Sequence, residues 1–315
     1  MAGLLNGLLR SVSRHGLNIF IFHRVLPQPD SMRPGEPDVE GFEALMQCIR
    51  RHWRVLPLEE AIERLSHKAL PPRAAALTFD DGYADNLSLA APILERLGLS
   101  ATVFLASGFL NGGRMWNDTV IEALRRMPGE KLDLRSLGLG RYPLRDVAQR
   151  RIAAEAVIGG IKYAPLDERR RVTDHLETLV EGLPDDLMLD EAAIRSASPS
   201  VVRFGAHTVD HPILSRLDEG AARRQIVQGK ADVEAIIGEE VRLFAYPNGK
   251  AGEDYLPRDV DLVRNAGFRA AVATDWGVAR TRSDLFQLPR YTPWRSDCLG
   301  FSLQMLRHYW QQRGA

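Results

Sequence analysis

Ala74-Ala75-Ala76-Leu77-Thr78-Phe79-Asp80-Asp81-Gly82 is an apolar run that ends abruptly in two adjacent carboxylates and a glycine. The run reads as a short strand. Adjacent carboxylates repel each other and rarely serve packing, so something must offset the repulsion. A metal ion is the simplest candidate, with one carboxylate as ligand and the other free to move a proton. Asp-Asp-Gly is also an ordinary turn, since Asp tolerates turn geometry and Gly supplies positive φ. What tips the balance is a second stretch, His207-Thr208-Val209-Asp210-His211-Pro212, with two imidazoles four residues apart. Such a pair alone is common in cores and on solvated helix faces. Yet both motifs directly follow strand-like runs, Ala74 to Phe79 and Val201 to Ala206, and in a parallel α/β fold the strand C-terminal ends share one face. Asp, His and His can then meet there.

Strand-like segments recur at Leu17 to Phe22, Arg54 to Leu56, Leu77 to Phe79, Ala101 to Leu105, Val201 to Ala206, Arg242 to Tyr246, Ala270 to Thr274 and Leu285 to Leu288. Helical patterns separate most of them. Asn86 to Leu97 carries an apolar stripe, with Asp85 as its expected N-cap and Gly98 as its stop, and Asp218 to Ile237 ends likewise at Gly238. The alternation predicts an α/β fold with a parallel sheet closed or nearly closed into a barrel. One domain spans 1–315, interrupted by a helical insertion over 110–200, because loops that long rarely stay structureless.

Lys plus Arg and Asp plus Glu are equal at 41 each, so the formal net charge is zero and no nucleic-acid footprint is visible. Cys48 and Cys298 lie far apart without metal-binding spacing, and are expected to be structural thiols of a reduced compartment. No stretch approaches the roughly 20 apolar residues of a transmembrane helix. Met1 to Val12 has leucines at helical spacing, but Arg10 and Arg14 end the apolar run early and no small-residue cleavage site follows. A cytoplasmic location is expected, with the leucine stripe docked on the barrel or, as the weaker alternative, attached to a membrane surface.

Three blocks in series resemble the polysaccharide deacetylases of the NodB-homology type, carbohydrate esterase family four: Thr78-Phe79-Asp80-Asp81-Gly82, His207 to Pro212, and Phe244-Ala245-Tyr246-Pro247-Asn248-Gly249. The resemblance runs from about Asn18 to Arg290. It implies a distorted (β/α) barrel of about seven parallel strands. It also implies that Asp80 is the catalytic base, that Asp81, His207 and His211 hold the metal, and that the N-H of Asn248 helps form the oxyanion hole. The ligand set suits zinc first, then cobalt, nickel, iron or manganese.

Two departures from the family pattern matter. Many members carry an Arg two residues before the Pro of the third block, where this chain has Ala245, and the usual late Leu-x-His is here Leu288-Pro289-Arg290. Arg290 can replace the missing Arg by pairing with Asp80, but a guanidinium cannot deliver a proton. His23, ending the first strand, is the best substitute acid, with a place in the core or a supporting role behind the site as the alternative. Tyr83, Tyr246, Trp116 and Trp276 are the aromatic candidates for substrate contact, with Trp294 as a further stacking candidate; packing is the competing role, favoured for Tyr83 beside the carboxylates and for Trp116, a Trp in a loop before a helix. The resemblance implies removal of N-acetyl groups from an amino sugar in a polysaccharide or glycan precursor. Hydrolysis of a non-sugar amide or cyclic imide, or a catalytically silent glycan-binding module, are the alternatives.

Overall fold

In the computed structural model, which describes residues 16–293 and 298–311, the run before Asp80 is a strand buried at every residue. The strands are β1 (Gly16–Phe22), β2 (Arg54–Val55), β3 (Ala74–Phe79), β4 (Ala101–Leu105), β5 (Lys131–Asp133), β6 (Arg141–Pro143), β7 (Val202–Ala206), β8 (Leu243–Ala245), β9 (Ala270–Trp276), β10 (Ala279–Arg280) and β11 (Leu288–Arg290). The helices are α1 (Val39–His52), α2 (Leu58–Ser66), α3 (Ala91–Leu97), α4 (Trp116–Arg126), α5 (Val147–Ile161), α6 (Leu166–Thr178), α7 (Glu191–Ser196), α8 (Glu219–Ile237), α9 (Pro257–Asn265) and α10 (Cys298–Gln311). A π-helical turn, Asn86–Ala90, leads into α3.

The main sheet runs β10-β1-β3-β4-β7-β8-β9-β11, with β2 added along the start of β3. From β1 to β11 every neighbouring pair is parallel, and only β10 lies antiparallel on its edge. Just past β11, Tyr291 bonds back to β1, its N-H to the Ile19 carbonyl at 2.8 Å and its carbonyl to the Ile21 N-H at 3.1 Å. The sheet thereby curls into the expected barrel, and β11 comes beside β1 and β3.

Strand alternation decides what faces inward. Ala74 and Ala76 pack with Leu17, Ile19, Phe104, Val272 and Leu288, and α2 adds Leu58, Ala61 and Leu65 to this inner cluster. Ala75, Leu77 and Phe79 pack outward with Phe42, Ile93 and Val103 under the helices. Thr78 and Asp80 continue the inner row, so the first carboxylate of the pair points into the barrel.

The helix ends follow local chemistry. Asp218 caps α8 by accepting from Ala221 N-H at 2.7 Å, and Gly238 ends it at φ 73°. Gly98 ends α3 at φ 64°. Asp85, the expected N-cap, does not cap: its carboxylate instead pairs with Arg24 at 2.8 Å and accepts from Val25 N-H at 3.1 Å. The stretch over 110–200 holds α4 to α7 and an unexpected antiparallel hairpin, β5 with β6. Helices α4, α5 and α6 share a core of their own, built on Val120, Leu124, Val157, Val172 and Leu176.

Cys48 on α1 and Cys298 at the start of α10 form a disulfide across 250 residues. This corrects the expectation of separate thiols and removes the ground on which they suggested a reduced compartment. α10 places Phe301 against Phe20 and Trp53, with ring centroids 5.6 and 5.3 Å away. Among the described residues no helix is long and apolar enough to cross a membrane. The leucine stripe of Met1 to Val12 lies outside the described residues.

Candidate active site

Asp80 and Asp81 leave β3 at the barrel mouth and face different partners, because the chain turns sharply between them with Asp81 at φ 75°. Asp80 is gripped by Arg290, Nη1 to Oδ1 at 2.7 Å and Nη2 to Oδ2 at 2.6 Å. The same guanidinium donates to Thr78 Oγ1 at 3.2 Å and, through Nε, to the Ala273 carbonyl at 2.8 Å. Both partners are buried. Burial alone would raise the pKa of Asp80, but Arg290 and then His207 outweigh it and hold the carboxyl below its ordinary value.

Asp81 faces the histidines. Its Oδ1 lies 3.5 Å from Nε2 of His207 and 3.5 Å from Nε2 of His211, and the two rings are 4.8 Å apart. Nδ1 of His207 bonds to the Ala245 carbonyl at 2.7 Å, which as an N-H donor turns the Nε2 lone pair toward Asp81. Asp81 Oδ1 is buried and has no hydrogen-bond partner among the described residues. A buried, orphaned carboxylate oxygen facing two imidazole nitrogens, with all three ligand atoms within 4.8 Å of one another, fits a small divalent ion. Burial would raise the Asp81 pKa, but the imidazoles hold it down, while burial pushes His211 down to about 3 and keeps it neutral. His207 goes the other way, since Asp80 and Asp81 outweigh its own burial.

The backbone is strained where these groups sit. Non-glycine residues with positive φ include Asp81 at 75°, Thr208 at 66°, His211 at 48° and Asn248 at 57°. Such conformations cost about 1–3 kcal/mol each and persist only where surroundings enforce them. On α8, Gln225 Oε1 accepts from Val209 N-H at 3.1 Å and Asp210 N-H at 2.9 Å, and Gly229 lets the helix approach Thr208, whose carbonyl carbon would stand 2.7 Å from a Cβ there. The turn after β8 is held by the Thr274 hydroxyl, which donates to the Asn248 carbonyl. The N-H of Asn248 has no protein partner among the described residues.

His23 follows β1 directly opposite Asp80, since Phe22 and Phe79 are register partners and Asp80 N-H bonds to the Phe22 carbonyl at 3.0 Å. It stands close enough to act electrostatically on both carboxylates. The π-turn fixes its backbone: Asn86 Nδ2 donates to the His23 carbonyl at 2.8 Å.

Three of the four aromatic candidates are buried in packing positions. Tyr83 is buried beneath the Arg24 guanidinium, 4.7 Å from its ring. Tyr246 stacks on Tyr255 at 3.9 Å, fully enclosed, and gives its hydroxyl to the Phe286 carbonyl at 3.0 Å. Trp116 is buried under Arg169, 4.9 Å away. Trp276 differs from these three: it is 51% exposed at the end of β9, where it is register partner to Arg290 and its ring lies 5.4 Å from that of Tyr291. Trp294 lies outside the described residues. Sequence reading missed Gln225, Asn86 and Arg169, polar residues of unremarkable helices whose partners are backbone groups far along the chain.

A family model described as polysaccharide deacetylase matches residues 67–157 and 171–271, more than half of the chain. YxkH of Bacillus subtilis (strain 168), which bears that family's name, is 33% identical over 91 residues, 28% of this chain and 31% of that protein. The match therefore spans about a third of the relative's length. Among solved structures, IcaB from Ammonifex degensii superposes with a TM-score of 0.60 at 19% identity, covering 94% of this chain and 97% of that one. The Streptococcus pyogenes deacetylase PplD, solved in complex with acetate, gives 0.58 at 16% identity over 88% and 92% of the two chains. The BpsB deacetylase domain from Bordetella bronchiseptica gives 0.55 at 15% identity over 88% and 96%. At these identities the likeness is one of fold.

Proposed function

The chain belongs to the polysaccharide deacetylase family, and on that footing we propose that it hydrolyses the N-acetyl amide of an amino sugar within a glycan, with a divalent ion held by Asp81, His207 and His211. The observation that carries this reading is the orphaned Asp81 Oδ1 facing both imidazole nitrogens at 3.5 Å, with a second, ionised carboxylate beside it on Asp80. Zinc suits one carboxylate and two imidazoles, as do cobalt, nickel, iron and manganese. The ion supplies Lewis acidity toward the acetyl oxygen and toward water.

The chain's own residues do the rest. Asp80, kept ionised and aimed by Arg290, takes the proton of the attacking water; each of its oxygens keeps a lone pair beyond the one given to the guanidinium. The N-H of Asn248 points its dipole at the developing oxyanion, a donor worth about 3 kcal/mol in such sites. His23, at the mouth opposite Asp80, returns a proton to the departing amine. Trp276 offers an exposed face on which a pyranose ring can stack.

The test is acetate release from a panel of N-acetylated oligosaccharides, run beside cyclic imides, with chelated protein and with protein reloaded with zinc or cobalt. Metal-dependent acetate release is expected. Metal-loaded protein that leaves every acetylated sugar intact while opening imides would overturn the substrate reading, and full activity after chelation would overturn the metal reading.

A further inference from the structure

His207 and His211 face the same carboxylate oxygen but are held in different ways. The ring of His207 is anchored through Nδ1 to the Ala245 carbonyl at 2.7 Å, whereas Nδ1 of His211 is buried and has no hydrogen-bond partner among the described residues. Metal-binding imidazoles usually take their orientation from a hydrogen bond at the other ring nitrogen. For His211 the direction of the ring must come from the backbone. That backbone is in an unfavourable state: φ is 48°, left-handed, and the next residue is Pro212, which pushes its predecessor toward extended conformations.

Arg169 bears on that backbone. From the first turn of α6 its Nη2 donates to the Asp210 carbonyl at 2.8 Å and its Nη1 to the His211 carbonyl at 3.2 Å. These carbonyls belong to the two peptide planes on either side of the His211 Cα, so a planar fork gripping both fixes φ and ψ together and thereby aims the Cβ. The guanidinium is itself held against the Trp116 ring at 4.9 Å. Both Arg169 and Trp116 come from the insertion, and Arg169 falls in the gap between the two segments shared with the family model, 67–157 and 171–271.

We infer that Arg169, backed by Trp116, is a positioning residue for His211, so that the insertion finishes the metal site from outside the barrel. The inference rests on the reading of His211 as a ligand. It gives Trp116 a role through Arg169 in place of contact with sugar.

The experiment titrates metal-free parent, Arg169→Met, Arg169→Lys and Trp116→Leu with cobalt and zinc against a fluorescent chelator, alongside the visible spectrum of the cobalt form and the melting temperature without metal. Loss of an outer partner of a ligand costs about tenfold to a hundredfold in affinity, expected for Arg169→Met together with an altered cobalt spectrum. Arg169→Lys, which reaches one carbonyl at a time, is expected to lie between Met and parent, and Trp116→Leu to weaken binding less than Arg169→Met. If Arg169→Met does not fold, Arg169→Lys carries the test. Variants whose melting temperature falls while the metal dissociation constant stays within about twofold of parent, against the tenfold or more expected, show a merely structural role and overturn the inference. A parent that binds no metal overturns the metal reading itself, so the two failures are distinct.

Discussion

Arg290 grips both carboxylate oxygens of Asp80, at 2.7 and 2.6 Å, across 210 residues of sequence. The pair exists because the barrel closes: Tyr291 bonds to β1, which carries the residue before it over the end of β3. Removing one partner of a buried pair leaves an uncompensated charge, which costs about 3–5 kcal/mol. Arg290→Met is therefore expected to destabilise the metal-free protein by that amount, and Asp80→Asn in the same chain to recover a large part of it. Urea denaturation of parent, both single variants and the double variant measures the coupling. Strict additivity would mean that the pair has no energetic role.

The proposed mechanism gives the two carboxylates separable duties. Asp80→Asn should keep its metal and lose about a hundredfold to ten-thousandfold in turnover, the usual worth of a general base. Asp81→Ala, His207→Ala or His211→Ala should lose metal and turnover together. Elemental analysis beside acetate-release rates separates the two classes, and an Asp80→Asn protein with normal turnover would end the assignment of the base.

Exposure, not residue type, predicts which aromatic ring matters to substrate. Trp276→Ala should raise KM about tenfold, equivalent to a stacking contact of about 1.4 kcal/mol, with little change in kcat. Tyr246→Phe should leave KM where it is, because its hydroxyl is spent on the Phe286 carbonyl inside the core. Steady-state kinetics on an acetylated oligosaccharide decides; a KM shift with Tyr246→Phe would point to a substrate path through the core.

Much of this arrangement is legible in the chain, and the reason is locality. A strand's alternation and the carboxylates that end it lie within nine consecutive residues, Ala74 to Gly82, and His207 and His211 stand four residues apart just after another strand, so strand ends and ligand types are written next to each other. The Arg290 partnership can be read because Arg290 stands where a family motif expects another residue. Burial is a different matter. Tyr83, Tyr246 and Trp116 can be read as packing residues or as substrate contacts until the packing of Arg24, Tyr255 and Arg169 over them is known, and none of those partners is adjacent in sequence. Asp85 has the sequence of a cap but a stronger claim on its charge in Arg24. Gln225 and Arg169 act on carbonyls and N-H groups, which every residue possesses, so nothing in the sequence marks their targets.

The disulfide joins what the sequence separates most widely. Linking Cys48 to Cys298 closes a loop of 250 residues, and the chain-entropy relation gives an upper bound of about 5.5 kcal/mol for such a loop. Cys298→Ser is expected to lower the unfolding free energy measured by urea titration by at most about that amount, and to free α10, exposing Phe20 and Trp53 beneath Phe301. Comparing parent protein with and without reductant against Cys298→Ser in the same titration checks this. Reductant that changes the parent while leaving the variant untouched is the expected pattern; a parent indifferent to reductant and showing two free thiols would argue that the bond does not form in solution.

The acid side of the stability curve should carry a histidine signature. His52 closes α1 beside Cys48, and burial first, then Arg51 and Arg73, push its pKa below the ordinary value. In the unfolded chain it titrates near about 6.5, so between that pH and its folded pKa the unfolded state binds more protons. The stability it contributes as a neutral ring is therefore present above about pH 6.5 and lost as pH falls, by at most about 1.4 kcal/mol per pH unit from one group. His211, pushed down to about 3 by burial, adds a slope of the same sign in metal-free protein, while His207, raised by the carboxylates, opposes it. Urea denaturation of metal-free protein at pH 7.5, 6.5 and 5.5, a window of roughly one unit either side of the unfolded value, should show His52→Gln flattening the dependence without touching the metal site. If the variant follows the parent's slope throughout, the ring of His52 is as easily protonated in the fold as out of it, and the loss of stability belongs to the site histidines instead.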